Sequence, residues 1–227
     1  MSDVVTYRDK TVPWAVSIVE IERYDDAFVR VVCAMPTNTP LVAGDTIAVD
    51  VAPPSQLFRR YTVSRTTDTT FEFIGFRTAR GPATEYLDQL SVGDALSGQG
   101  PERPVKLPTA DMAHVIVIGD ETVIGTAVAV SGANPKPVAV AVKTTHSVEQ
   151  VSQVLQPSML SVCADEEAMK SWLTDFLTNT GVEKVGVFLV GEQSANQALR
   201  QHAFSLGVSK ERLATRTFWR PDKVGLE

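Results

Sequence analysis

The stretch Val115-Ile116-Val117-Ile118-Gly119-Asp120-Glu121-Thr122-Val123-Ile124-Gly125-Thr126-Ala127 runs from a fully apolar segment, through a glycine and a polar turn, into a segment of small and apolar residues. An apolar run with no polar alternation is what a strand needs when both of its faces are covered, as in a parallel sheet. The turn and the small-residue segment after it then read as the loop and crossover helix of a βα unit. The same grammar repeats downstream. Strand-like 138–142, 159–162 and 185–190 alternate with helix-like 123–131, 148–155, 166–179 and 193–206. Strands alternating with helical patterns predict a parallel sheet wound with helices.

Upstream of this stretch the composition is different. Short Val-, Ile-, Thr- and Phe-rich runs at 14–23, 28–34, 46–51, 60–65, 70–75 and 95–97 are separated by turn residues such as Asp25-Asp26, Gly44-Asp45 and Gly93-Asp94. Six strands with one intervening helix predict a small antiparallel barrel. Gly98-Gln99-Gly100-Pro101-Glu102-Arg103-Pro104 has the composition of a linker. The expected organisation is therefore a six-stranded antiparallel β-barrel over 1–104 and an α/β parallel-sheet domain over 105–227.

Composition narrows the possible functions. The chain has 227 residues, 44% of them hydrophobic, and a formal net charge of -6. That balance argues against a general nucleic-acid binder, which needs a basic footprint. No apolar run approaches the ~18 residues of a membrane span, and the start Met1-Ser2-Asp3-Val4-Val5-Thr6 lacks the basic and apolar parts of a secretory signal. A cytoplasmic protein is expected. Cys33 and Cys163 lie in apolar runs and read as small core residues. No Gly-x-Ser-x-Gly elbow is present, and His114, His146 and His202 are scattered, so no catalytic triad is indicated.

Within the barrel half, Arg59-Arg60-Tyr61-Thr62-Val63-Ser64-Arg65 stands out. Alternate side chains on a strand share a face, so Arg59 and Tyr61 point one way. An arginine suits phosphate, a tyrosine suits a ring or sugar-like portion, and a threonine can hydrogen-bond a ring nitrogen. A flavin dinucleotide has those parts; a strand with a basic solvent face has the same residues. Gly81-Pro82-Ala83-Thr84 follows about twenty residues later. It reads as the start of a helix from Thr84 to Leu90, with an N-cap candidate. Helix N-termini bind phosphate, so the two motifs together would clamp a pyrophosphate.

These motifs, with Gly119-Asp120-Glu121-Thr122 and the tail Phe218-Trp219-Arg220, resemble those of the siderophore-interacting protein family. Its members are FAD-dependent ferric-siderophore reductases built on the ferredoxin-reductase plan. The matches fall in family order across most of the chain. The resemblance implies that Arg59 contacts the FAD pyrophosphate, Tyr61 the ribityl chain and ring edge, and Thr62, followed by Val63, the flavin ring near its reactive nitrogen. It places Gly81, Pro82, Ala83 and Thr84 at the phosphates, Asp120, Thr122 and Trp219 at the cofactor, and Arg220 and Lys223 at the substrate mouth. No residue is required as an acid or base. The implied donor is NAD(P)H or ferredoxin, and the implied substrate a ferric siderophore.

The chain departs from the family in places. Val123-Ile124-Gly125-Thr126 stands where the family has Ala-Leu-Pro-Ala, Ser64 where it has Arg, and Tyr86 where it has Trp. Asp120 and Glu121 are acids in a turn where a dinucleotide pyrophosphate would sit, and they would repel it. Two other readings stay open: a ferredoxin-reductase-like oxidoreductase with another acceptor, and a flavin-binding electron-transfer or accessory module without nicotinamide binding.

Overall fold

The computed structural model describes residues 11–53, 55–77, 81–102, 112–133, 136–155 and 157–221. The first half forms strands β1 (Val12–Tyr24), β2 (Phe28–Ala34), β3 (Thr46–Asp50), β4 (Phe58–Thr66), β5 (Thr70–Phe76) and β6 (Ala95–Glu102), with helix α1 (Pro82–Gln89) between β5 and β6. The strands close into an antiparallel barrel in the order β1-β2-β5-β4-β3-β6. Period-2 alternation decides which face each residue takes. Val29, Val31 and Cys33 of β2, Val63 of β4, and Phe71 and Phe73 of β5 fill the barrel with Ile18, Ile47 and Leu96. Arg30 and Glu72, between them in sequence, lie on the outer face and pair at 2.8 Å.

The second half forms a five-stranded sheet in the order β11-β10-β7-β8-β9. Its strands are β7 (His114–Asp120), β8 (Val138–Lys143), β9 (Met159–Cys163), β10 (Val185–Glu192) and β11 (Leu213–Trp219). All neighbouring pairs are parallel. Helices α2 (Val123–Ala133), α3 (Val148–Val154), α4 (Glu166–Thr180) and α5 (Gln193–Ser205) connect them. α4 and α5 cover one face, with Met169, Leu173, Leu177, Leu199 and Ala203 in its core. α2 and α3 cover the other, and their cluster continues into the barrel through Phe28 and Ile74.

That continuity explains α2. Every residue from Val123 to Val130 is buried, because the helix lies between the sheet and the outer wall of the barrel. A helix apolar all round can be stable in water only when buried on all sides.

Two sequence expectations need correcting. The linker-like 98–102 is not a linker: β6 continues to Glu102, pairing Gly100 with Val12 and Glu102 with Thr46. Gly98 packs under the Trp14 ring, where an added Cβ would lie 2.5 Å from Cζ2; the glycine serves close packing rather than looseness. Arg103 and Pro104 lie outside the described residues. The sheet also has a fifth strand, β11, at its edge.

Candidate functional site

β4 is hydrogen-bonded to β3 along Phe58 to Thr62. Its partnership with β5 covers only Val63, Arg65 and Thr66. The barrel wall is thus split between β4 and β5 on the Phe58 side of Val63, and α2 seats over the split. Gly125 lies there: a Cβ on it would be 3.5 Å from the Thr62 carbonyl oxygen and 3.9 Å from that of Ile74. Beside it the Thr62 and Thr126 hydroxyl oxygens meet at 2.8 Å. Thr62 therefore stands where the two domains join.

Arg59 and Tyr61 share a face of β4, as the strand period requires. Tyr61 packs on the barrel core together with Ala83 and Tyr86 of α1, its ring 4.7 Å from that of Phe73. Burial pushes the Tyr61 phenol up, with the charge of Arg59 opposing and Tyr86 reinforcing the shift. Arg59, Tyr61, Tyr86 and the first turn of α1 thus form one neighbourhood.

The arginines around it differ in their partners. Arg60 pairs with Glu102 at 2.6 Å, Arg65 with Glu72 at 3.2 Å, Arg77 with Asp88 at 2.6 Å and Arg30 with Glu72 at 2.8 Å. Arg59 makes no ion pair among the described residues; its Nη1 donates to the neighbouring Phe58 carbonyl at 2.9 Å. A half-buried guanidinium without a carboxylate has spare donors for an anion.

α1 begins two residues earlier than expected, at Pro82 rather than Thr84. Its N-cap is Gly81, Pro82 follows in the first turn, and no side chain caps the start. Thr84, expected as a cap, is already inside the helix and has a partner of its own. Val63 is placed differently from its neighbours. Its side chain is in the barrel core, its N–H donates to the Asp45 carbonyl at 2.8 Å, and its carbonyl accepts from Gly44 at 2.8 Å. Neither its side chain nor these backbone groups are open to a ligand.

On the α/β side the chain reverses between β7 and β10, the switch point where open sheets hold ligands outside the carboxyl ends of their strands. Here Asp120, 5% exposed, fills that crevice. Its Oδ1 accepts from the Thr122 N–H at 2.9 Å and from the Thr122 hydroxyl. Its Oδ2 accepts from the Glu192 N–H and from Trp219 Nε1–H, each at 2.9 Å. One carboxylate thus ties together the ends of β7, β10 and β11 and the turn into α2. Trp219, 38% exposed, is held at the mouth of the crevice by this bond. Arg220 follows it, with a buried Nε that has no partner among the described residues. Lys223 lies outside the described residues.

Glu121 bonds to Thr144. Burial pushes its carboxyl up, opposed by its own backbone N–H and the Thr144 hydroxyl. His146, from the loop after β8, meets the barrel: its ring is 5.9 Å from those of Phe28 and Phe76. It joins the domains, a role its sequence position did not reveal. His202 is half-buried against the Thr174 hydroxyl at 2.9 Å, in a groove of about 610 Å³ between α4 and α5, away from the domain junction. Cys33 and Cys163 are both buried.

The residues fit FAD on their own chemistry. Arg59 makes no ion pair among the described residues, the start of α1 has no side-chain cap, Tyr61 interacts with both Arg59 and Tyr86, and the pairing of β4 with β5 is missing along this part of β4. Gly125 and Thr126 adjoin Thr62, and Tyr86 interacts with Tyr61. In the sequence all three stand out only as departures from the resembled family, Tyr86 where it has Trp and Gly125-Thr126 where it has Pro-Ala.

No family model and no curated protein matches the sequence. Solved structures do match in fold. The siderophore-interacting protein from Acinetobacter baumannii superposes with a TM-score of 0.76 at 19% identity, over 95% of this chain and 92% of that one. The siderophore utilization protein from T. fusca gives 0.76 at 18% identity, over 96% of each chain. The ferredoxin NADP+ reductase from Neisseria gonorrhoeae, solved with FAD and NADP bound, gives 0.70 at 12% identity, over 91% of this chain and 99% of that one. The chain has the two-domain ferredoxin-reductase-like fold, a closed antiparallel barrel joined to a parallel α/β sheet. Siderophore-interacting proteins are among the structures that share it over nearly their whole length.

Proposed function

We propose that the chain is an FAD-dependent oxidoreductase of the siderophore-interacting family, which reduces the iron of a ferric siderophore to Fe(II) in the cytoplasm with electrons from NAD(P)H or ferredoxin. The observation that carries the cofactor is Arg59, which makes no ion pair among the described residues and donates only to the Phe58 carbonyl, taken with the start of α1, which has no side-chain cap. In this reading Arg59 and the Gly81–Thr84 turn hold the pyrophosphate. Tyr61 and Tyr86 wall the ribityl chain and ring, and Thr62 faces the ring at the domain junction. Bound FAD would take electrons in pairs and release them singly, as ferric iron requires. Asp120 and Thr122 act by fixing the turn and Trp219, which covers the mouth; Arg220 and Lys223 provide cations for an anionic ferric complex.

Purified protein tests the proposal in order. FAD rather than FMN should be released on denaturation. Anaerobic reduction by NADH or NADPH and iron(II) release from a ferric siderophore should follow. Arg59→Ala should weaken FAD by about 1.5–3 kcal/mol, the scale of a hydrogen bond to a charged group, with melting unchanged; wild-type flavin retention after dialysis would remove Arg59 from the site. The Asp120 network favours a second reading. If FAD binds yet neither nicotinamide reduces it while reduced ferredoxin does, the chain takes its electrons from a protein.

A further inference from the structure

The junction of the two domains carries a hydroxyl pair. Thr62 Oγ1 on β4 and Thr126 Oγ1 on α2 are 2.8 Å apart, and either can be the donor. The residues are 4% and 1% exposed. Two hydroxyls bring two protons, and only one can lie between the oxygens. The other needs an acceptor, because a buried donor left unpaired is unfavourable.

The two arrangements are not equivalent. If Thr62 donates to Thr126, the spare proton sits on Thr126, among the buried, mostly aliphatic residues of α2. If Thr126 donates to Thr62, the spare proton sits on Thr62. That residue keeps the greater exposure, and its strand is unpaired with β5 at this point. An acceptor that meets the pair from the β4 side, where the strand is unpaired with β5, meets Thr62 Oγ1 and selects the second arrangement. A hydroxyl that already accepts a bond is also a stronger donor in the next one.

We infer that Thr126 is a positioning residue for the flavin: it donates to Thr62 Oγ1 and so turns the Thr62 hydroxyl outward as a donor to an acceptor atom of the flavin ring. The inference rests on the FAD reading. It concerns a feature of this chain, since the motif it resembles has Ala where Thr126 stands. It also gives α2 a part in the cofactor site that its apolar sequence conceals.

Thr126→Val keeps the shape and removes the hydroxyl; Thr126→Ser keeps the hydroxyl. FAD, FMN and ADP affinities of the ligand-free protein are measured by equilibrium dialysis, with the visible absorption band of bound flavin and the melting temperature. Thr126→Val should weaken FAD and FMN alike by about fivefold, the loss of one ordinary hydrogen bond. It should shift the flavin band and leave ADP unchanged, and Thr126→Ser should return FAD to within about twofold of wild type on the same scale. If Thr126→Val fails to fold, Thr126→Ala makes the same comparison. Wild-type FAD and FMN affinity with an unshifted band would overturn the inference, and so would an equal loss of ADP, the mark of a merely structural role. Failure of the wild type to bind FAD or FMN at all would take the FAD reading and this inference down together, and the wild-type arm identifies that case.

Discussion

Asp120→Ala tests the account of the crevice between β7 and β10. The substitution removes the acceptor of four donors: the Thr122 N–H and hydroxyl, the Glu192 N–H and Trp219 Nε1–H. The two Thr122 groups belong to a half-buried turn that water can reach, so their loss is partly made good. The Glu192 and Trp219 donors come from separate strand ends that the carboxylate ties to β7, so losing them also releases contacts between strands. At about 1–2 kcal/mol for each donor deprived of a charged partner, the loss is about 2–4 kcal/mol. For a chain of this size that is roughly 4–16 °C in Tm, at about 2–4 °C per kcal/mol. Asp120→Asn separates the electrostatics from the shape. An amide can turn its oxygen toward Glu192 and Trp219, but its NH2 then faces the Thr122 N–H, so the variant should fall between wild type and Ala. Urea denaturation followed by tryptophan emission reads both. The Ala variant should also show a red-shifted Trp219 contribution as the indole is released. If Asp120→Ala unfolds within about 0.5 kcal/mol of wild type, the level of an ordinary surface substitution, the carboxylate does not hold the strand ends together.

Arg220→Ala should slow reduction of an anionic ferric complex while leaving flavin content unchanged. The wild-type rate should fall with ionic strength more steeply than the variant's, because salt screens an accessible cation; equal salt slopes would make the tail purely structural. At Gly125, a substituted Ala has its Cβ at ordinary contact distance, 3.5 Å from the Thr62 carbonyl. Gly125→Ala should therefore stabilise by up to about 1 kcal/mol through helix propensity, whereas Gly125→Leu should cost about 1–3 kcal/mol by overpacking, both read by urea unfolding. Burial holds the Glu121 carboxyl above its ordinary value of 4.5, so Glu121 favours the folded state fully below that pH and loses this contribution as pH rises through its folded pKa. Glu121→Gln should therefore raise Tm relative to wild type near neutral pH and change the difference little below pH ~4; a gain confined to acid pH would contradict the sign.

The parts of the fold that sequence revealed are those where one local rule acts alone. Buried parallel strands must be apolar on both faces, so β7, β8 and β10 are visible as continuous runs. Barrel strands alternate, so β2 and β5 are visible by period. β11 is harder to see because an edge strand has a paired neighbour on one side only, and its half-buried pattern mixes Arg216 and three threonine or alanine residues with the aromatics. β6 was hidden for a different reason. Its glycines look like linker residues until the Trp14 ring is placed over Gly98, a contact across more than eighty positions of chain.

The site divides along the same line. Arg59, Tyr61 and the Gly81–Pro82 turn can be read because strand period and helix-start chemistry are local. What no local rule supplies is which arginine lacks a carboxylate: Arg59 and Arg60 are adjacent in sequence, yet Glu102 neutralises only Arg60, because β4 alternates and β6 reaches the outer face alone. The acids at 120 and 121 read in sequence as repelling a pyrophosphate. In the structure they part: Asp120 is consumed by four donors of the chain itself, while Glu121 turns to Thr144. The two carboxylates therefore act first on the protein. Asp120 fixes the crevice and Trp219, and the anionic surface a donor would meet at this edge is smaller than the sequence suggests. Reduction kinetics with NADH, NADPH and ferredoxin side by side therefore decide the donor, and a fast nicotinamide reaction would show that an Asp120 held by the chain's own donors leaves room for a pyrophosphate.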